Sequence, residues 1–338
     1  MQLRSNPITI RASCLSAALI SAGTAGLALA GLLGTPTVQA QDYPARQITI
    51  VVPFTAGSST DQQARAYAQT ITSEYKVPVV VDDKPGASGM IAAQAVAKAP
   101  PDGYTMLFTT NTTHAANEHL YKKLPYDPVK DFSPVALLSK GYQVMVVNPQ
   151  SPYRSVADFI AGARAQRGKL SFGSGSSSSR VAGEMFKQMT GVDLLHVPYK
   201  SNPLALTDLL GGQIDVMWTD MTTGVPQVNT GKLRALAVTG LRRSAQLPNV
   251  PTVDESGVKG YESSYWNAVY MPAGSPPAAV KRMNEILIKA TDSPPVKALA
   301  ASTGTEPAPA SPEGLAKFQA EESAKWGRII KAAGIQPE

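Results

Sequence analysis

The sequence predicts an α/β protein of two domains joined by a doubly crossed hinge, with a cleft between them. Three observations point there. From Gln47 onward, short apolar runs alternate with stretches of helical periodicity, as parallel α/β units do. Two long extended segments, residues 135–147 and 261–271, break that rhythm in a matching way. On either side of them, the junctions from strand to helix are rich in Ser, Thr and Asn.

The elements follow in order. Ile48-Thr49-Ile50-Val51-Val52 reads as a buried strand, after which Ala64, Tyr67, Ala68, Ile71 and Tyr75 recur at helical spacing. A strand over residues 77–81 leads through Pro85-Gly86-Ala87-Ser88-Gly89 into a helix over 90–98. Pro100-Pro101-Asp102-Gly103 then turns the chain into a strand over 104–109. A second set of strands is expected at 170–172, 194–197, 214–218 and 233–238, with helices between them. The extended segments are read as the crossings between domains. Residues 41–141 with 271–338 would then form the first domain, and residues 142–270 the second, inserted one. A doubly crossed hinge lets two rigid lobes close without unfolding either. No repeat of fixed period is present, which argues against a solenoid.

Ahead of this lies a different kind of segment. Residues 1–40 hold no acidic residue, carry Arg4 and Arg11 early, and run from Cys14 to Gly34 in small and apolar residues. They end in Thr35-Pro36-Thr37-Val38-Gln39-Ala40, with small residues at the minus-three and minus-one positions, so a secretory leader cleaved after Ala40 is expected. An anchoring helix is the other reading of a run this long. Its Gly, Ala and Ser content and the cleavage site favour the leader. Cys14 opens the apolar run and does not follow it, so it is not placed for lipid attachment. Cleavage leaves 298 residues without cysteine and lowers the formal charge from +6 to +4, because only Arg4 and Arg11 are lost. Lys and Arg are scattered, which speaks against nucleic acid as a partner and is compatible with a small anion.

Pro53-Phe54-Thr55-Ala56-Gly57-Ser58-Ser59-Thr60-Asp61 sits where the first strand hands over to the first helix. Free backbone N–H groups at such a start, with the helix dipole behind them, make an anion site. Ser59 and Thr60 are the expected caps, with Gln62 and Gln63 completing capping boxes. A well-capped helix without a ligand is the plainer reading. Similar junctions recur at residues 109–114, 173–180, 198–202 and 219–222, and the loops at the carboxyl ends of parallel strands face the ligand crevice. Catalytic readings are weaker. No Ser has glycines two positions to either side, and Gly173-Ser174-Gly175 lacks the third glycine of a dinucleotide loop. His114 and His119 are not at the spacing of a helical zinc pair. Helix capping is the expected use of Asp61 and Asp220, so no enzyme, metal or cofactor is expected.

An ordered set of motifs resembles the tripartite tricarboxylate transporter receptors, also called the Bug solute-binding proteins. It runs through Tyr43-Pro44, Pro53-Phe54 with Gly57 and Asp61, Lys84-Pro85-Gly86-Ala87 and Pro101-Asp102-Gly103-Tyr104-Thr105. It continues with Leu124-Pro125-Tyr126-Asp127-Pro128, Val197-Pro198-Tyr199-Lys200, Gly211-Gly212-Gln213, Gly231-Lys232-Leu233-Arg234-Ala235 and Val250-Pro251-Thr252. The resemblance implies a type II periplasmic-binding-protein fold and a monomeric periplasmic receptor that hands a small carboxylate to membrane permease subunits. It also nominates ligand contacts: Phe54, Ser58, Ser59, Asp61, Thr110, Asn111 and His114 from the first domain, and Ser176, Ser177, Ser178, Arg180, Tyr199 and Asp220 from the second. Phe54 has core packing as its other reading, Arg180 a pairing with Glu184 one turn on, and His114 a plain helix-start role.

Some positions depart from the family pattern. Ser58 stands where the family usually has a second glycine, Ser201 where it has Gly, and Arg180 where a histidine is common. The added hydroxyls could reach a second carboxylate. Lys200 and Arg180 are the cations of these loops, which argues for a dianion at most. Phe54, Tyr199, Trp218 and Trp266 offer flat surfaces that could flank a ring. The expected ligand is therefore a dicarboxylate, with terephthalate as the aromatic choice and an aliphatic C4 to C6 diacid as the other. A hydrolase or transferase on the same bilobed fold, or a receptor for a membrane sensor, are the competing functions.

Overall fold

The computed structural model describes residues 43–338, so the leader, Cys14 and the cleavage after Ala40 lie outside the described residues. Strand β1 (Ile48–Val52) leads into helix α1 (Ser59–Tyr75), and β2 (Val79–Asp83) follows. β2 starts later than its apolar run because Pro78 has no N–H for a ladder; its carbonyl accepts from the Ile48 N–H at 2.9 Å. Next come α2 (Met90–Ala97), β3 (Thr105–Thr110), a short turn of wide helix over Thr112–Ala116, and α3 (Asn117–Leu120). The first extended segment is β4 (Phe132–Val147). Beyond it lie α4 (Val156–Ala165), β5 (Ser171–Ser174), α5 (Ser177–Thr190), β6 (Leu195–Pro198), α6 (Asn202–Leu210), β7 (Val216–Asp220), α7 (Met221–Asn229) and β8 (Arg234–Val238). The second extended segment is β9 (Ser264–Pro272), and the chain ends with α8 (Pro277–Thr291), α9 (Pro294–Thr303), β10 (Glu306–Ala310) and α10 (Pro312–Ala332).

One curled sheet runs in the order β2-β1-β3-β9-β4-β7-β5-β6, with β8 and β10 both paired to β4. β1 is parallel to β2 and β3, and β5 is parallel to β6 and β7. The long strands between these groups, the two segments that break the α/β rhythm, run antiparallel to their neighbours. Phe132 to Tyr142 of β4 pair with β9, and residues 143–147 pair with β7 and β8, so this strand crosses from one half of the sheet to the other.

Each half is covered on both faces by its own apolar cluster. In the first, Ile50, Tyr67, Ile71, Met283 and Leu287 pack on one face, and Leu107, Trp266, Tyr270, Leu315 and Trp326 on the other. In the second, Phe159, Phe172, Phe186, Trp218 and Tyr261 oppose Val144, Leu206, Leu209, Met217 and Val225. Trp218 and Trp266 therefore belong to the interior, where burial of large rings gains most, and they offer no wall to a ligand. Strand β10, Glu-Pro-Ala-Pro-Ala, went unforeseen because two prolines lower its strand propensity; it survives as an edge strand of irregular register on β4.

Candidate ligand-binding site

The carboxyl ends of β1, β3, β5 and β7 open into one narrow, partly open cavity. Helix starts from both halves of the sheet meet there. Ser58, in extended conformation, caps α1 and accepts from the Asp61 N–H at 3.3 Å. The cap is thus one residue ahead of the expected Ser59 and Thr60, which become the first helical residues and keep N–H groups without an intrahelical acceptor. Nor do Gln62 and Gln63 complete capping boxes: the Gln62 amide donates to the Gly57 carbonyl and that of Gln63 to the Ser59 hydroxyl, while Asp61 takes the Gly57 N–H at 2.8 Å. Ser176 caps α5 in the same way through the Ser179 N–H, and Asp220 caps α7 through the Thr223 N–H.

Ser58, Ser59, Thr60, Thr110, Ser176 and Ser178 line the cavity, with Gln143, Asn202, Gly175, Phe54, Tyr265 and Asp220. No Lys, Arg or His is among these residues. Burial, with the Asp220 charge adding to it, pushes the Tyr265 phenol up to about 12, so it stays a donor at neutral pH. Burial also raises the Asp220 carboxyl, against the pull of hydrogen bonds from Asn202 and Thr223. Neutral donors and two open helix starts suit an anion, since oriented N–H groups act as partial positive charge.

Hydrogen bonds bridge the halves around the cavity: Thr55 with Ser201 at 2.6 Å, Ser59 to Thr222 at 2.9 Å and Ser177 to Asn117 at 2.8 Å. Arg180 pairs with Glu338 at 2.7 Å, and Glu184, its expected partner, is taken by Lys187 at 2.9 Å. Glu338 is held beside α3, where its N–H donates to the Leu120 carbonyl, so the pair ties α5 to the other half of the sheet. Glu338 is more than half exposed, so a double-mutant cycle over Arg180→Ala and Glu338→Ala should give a coupling below about 1 kcal/mol in urea unfolding. A coupling of several kcal/mol would mean that this pair, not the hydroxyl contacts, dominates the junction.

Of the residues nominated from sequence, Phe54, Ser58, Ser59, Thr110, Ser176, Ser178 and Asp220 line the cavity. The others are not among its lining residues. Asp61 is turned to Gly57 and Arg65, Ser177 to Asn117, and Tyr199 donates to Asp208 at 2.7 Å. Asn111 is fully buried with no partner for either end of its amide. His114 is buried with its ring stacked 3.8 Å from that of Tyr270, and Nδ1 shares a hydrogen bond with Thr113; burial holds its pKa down to about 3. Thr60, Gly175 and Asn202 were missed although they lie in the junctions singled out. Gln143 and Tyr265 were missed because they sit on the crossing strands, and only the pairing of Gln143 with Asp220 brings the former to the site.

The family model described as the tripartite tricarboxylate transporter family receptor matches residues 63–335. A curated relative, the UPF0065 protein in the tcbD-tcbE intergenic region of Pseudomonas sp. (strain P51), is 36% identical over 310 residues, which is 90% of this chain and 92% of that protein. Among solved structures, R. palustris Rpa4515 with adipate superposes with a TM-score of 0.85 at 37% identity, covering 88% of this chain and all of that one. The periplasmic binding protein BugD gives a TM-score of 0.84 at 32% identity over 88% of this chain and all of its own. MatC from Rhodopseudomonas palustris, with bound malate, gives 0.80 at 29% identity over 85% of this chain and 100% of its own. The curled mixed sheet is the periplasmic-binding-protein fold.

Proposed function

The chain belongs to the tripartite tricarboxylate transporter receptor family, and on that premise we propose that it is a periplasmic receptor that closes on a small dicarboxylate and delivers it to the permease subunits of such a transporter. In this reading the leader is removed after Ala40, and the mature chain acts as a monomer. Its lobes are residues 41–141 with 271–338 and residues 142–270. The observation that supports it best is the meeting of the α1 and α5 starts, from opposite halves of the sheet, at one cavity rich in neutral donors. Together they can hold one carboxylate of a short acid without a fixed cation, its far end reaching the side of Asn202 and Asp220.

Adipate and malate accompany the similar structures, and the neutral donors around this cavity suit an aliphatic diacid of four to six carbons. With Trp218 and Trp266 in the interior, Phe54 and Tyr265 are the aromatic walls left to favour a ring, which keeps terephthalate as the second reading. Titration calorimetry of the mature chain with succinate, malate, adipate, hexanoate, benzoate and terephthalate separates the two. Adipate should bind about 1–3 kcal/mol more tightly than hexanoate, because the monoacid leaves buried donors unpaired. Equal affinity for the two would remove the case for a second carboxyl site. Binding of terephthalate alone would move the assignment to the ring.

A further inference from the structure

We infer that a dicarboxylate enters this cavity with the uptake of one proton, which is held in a hydrogen bond between the acid's second carboxyl and Asp220. The inference rests on the dicarboxylate reading above and adds the protonation state in which the acid is bound. Four helix starts, those of α1, α5, α6 and α7, reach the cavity, and they are not equivalent. Those of α1 and α5 are capped by neutral serines and stay open to an anion. That of α7 is already occupied by a carboxylate, its own cap Asp220.

Asp220 is 6% exposed and lines the cavity. Its Oδ1 accepts from the Thr223 N–H at 2.9 Å and the Thr223 hydroxyl at 3.0 Å, and its Oδ2 from the Asn202 amide at 2.9 Å. A carboxylate has about four acceptor positions, so one is left for a donor on the ligand. Among the described residues that line the cavity, no cation stands by to neutralise a second charge. Around Asp220, β4 presents Gln143 and β9 the protonated Tyr265. On α1, Asp61 is engaged by Gly57 and Arg65; on α5, Arg180 is paired with Glu338. On the side of β6 and α6, His196 is bonded to Ser174, Tyr199 to Asp208, and Lys200 is exposed.

Two carboxylates meeting at hydrogen-bond distance in a closed site cannot both remain ionised. A proton from the buffer therefore adds to one of the two oxygens that face each other. One O–H bond forms, the buffer acid's bond to that proton breaks and leaves its conjugate base, and the carboxyl pair is left with a single negative charge. The other end of the acid stays ionised against the α1 and α5 starts. A ligand with a hydroxyl in place of the second carboxyl supplies the donor by itself and needs no added proton.

The test is calorimetry of the mature chain with adipate in two buffers of different ionisation enthalpy, at several pH values from about 6.5 to 8.5. Proton uptake should approach one per ligand at the upper end, and Kd should rise by about tenfold per pH unit there. With 6-hydroxyhexanoate, uptake should be near zero and Kd flat. Asp220→Asn retains a capping side chain and should bind adipate without uptake. Wild-type binding of adipate with no proton and a flat Kd would overturn the inference and leave the receptor reading standing; uptake that persists in Asp220→Asn would overturn the assignment to Asp220. If no acid in the panel bound at any pH, both would fall together.

Discussion

Gly175→Ala should cost about 3 kcal/mol of stability, roughly 5–10 °C in Tm, and degrade ligand binding with it. Gly175 lies between β5 and the Ser176 cap, and its N–H donates to the Asn202 side chain at 3.0 Å. A Cβ added there would overlap the Ser201 carbonyl carbon and the Asn202 nitrogen. These are backbone atoms at the start of α6, so no side-chain rotation makes room. One of the two loops must move, and both line the cavity, through Ser176 and Asn202. Stability and affinity are therefore linked at this position. Urea unfolding and calorimetry on the same variant check it; an unfolding midpoint equal to that of the wild type would show that the loops are not packed as described.

Acidification should destabilise the protein through His114 before most carboxylates titrate. The fully buried ring has its pKa held down to about 3 by desolvation, whereas in the unfolded chain it is near 6.5. Above pH 7 both states are neutral and the group contributes nothing. Below about pH 6.5 the unfolded state takes a proton that the native state refuses, so unfolding becomes easier by about 1.4 kcal/mol per pH unit. The loss is about 2 kcal/mol by pH 5 and continues toward the folded pKa. His196, lowered to about 4 mainly by burial, acts with the same sign. Asp83, raised to about 6 mainly by burial, acts with the opposite sign, gaining relative stability as pH falls. The comparison that isolates His114 is the slope of stability from pH 7 to 5 in the wild type and in His114→Phe, which keeps a ring against Tyr270. Equal slopes would contradict the buried, neutral assignment.

The alternation of strands and helices was legible because each run is bounded by turn residues, and β1, α1, α2 and β3 lie within a residue or two of where periodicity puts them. The orientation of β4 and β9 was not, since an extended apolar run carries no sign of parallel or antiparallel pairing. The same ambiguity hid Trp218 and Trp266: a strand covered on both faces has no polar alternation to say which way a ring points. At the site, the hydroxyl loops were legible because capping chemistry and anion chemistry use the same residues. Gln143 and Tyr265 were not, because their place at the cavity depends on strand register across the two crossings. The Arg180 pairing with Glu338 was equally hidden, as helical spacing points to Glu184 and only the tertiary fold brings the distant partner near.

The most direct test is a crystal structure of the mature chain with the tightest-binding acid of the panel. One carboxylate should lie within hydrogen-bond reach of the N–H groups of Ser59 or Thr60 and of the Ser178 region, with the far end of the acid beside Asn202 and Asp220. An acid bound elsewhere, such as the open groove by Arg242 and Lys297, with the cavity between α1 and α5 left without it, would contradict the account.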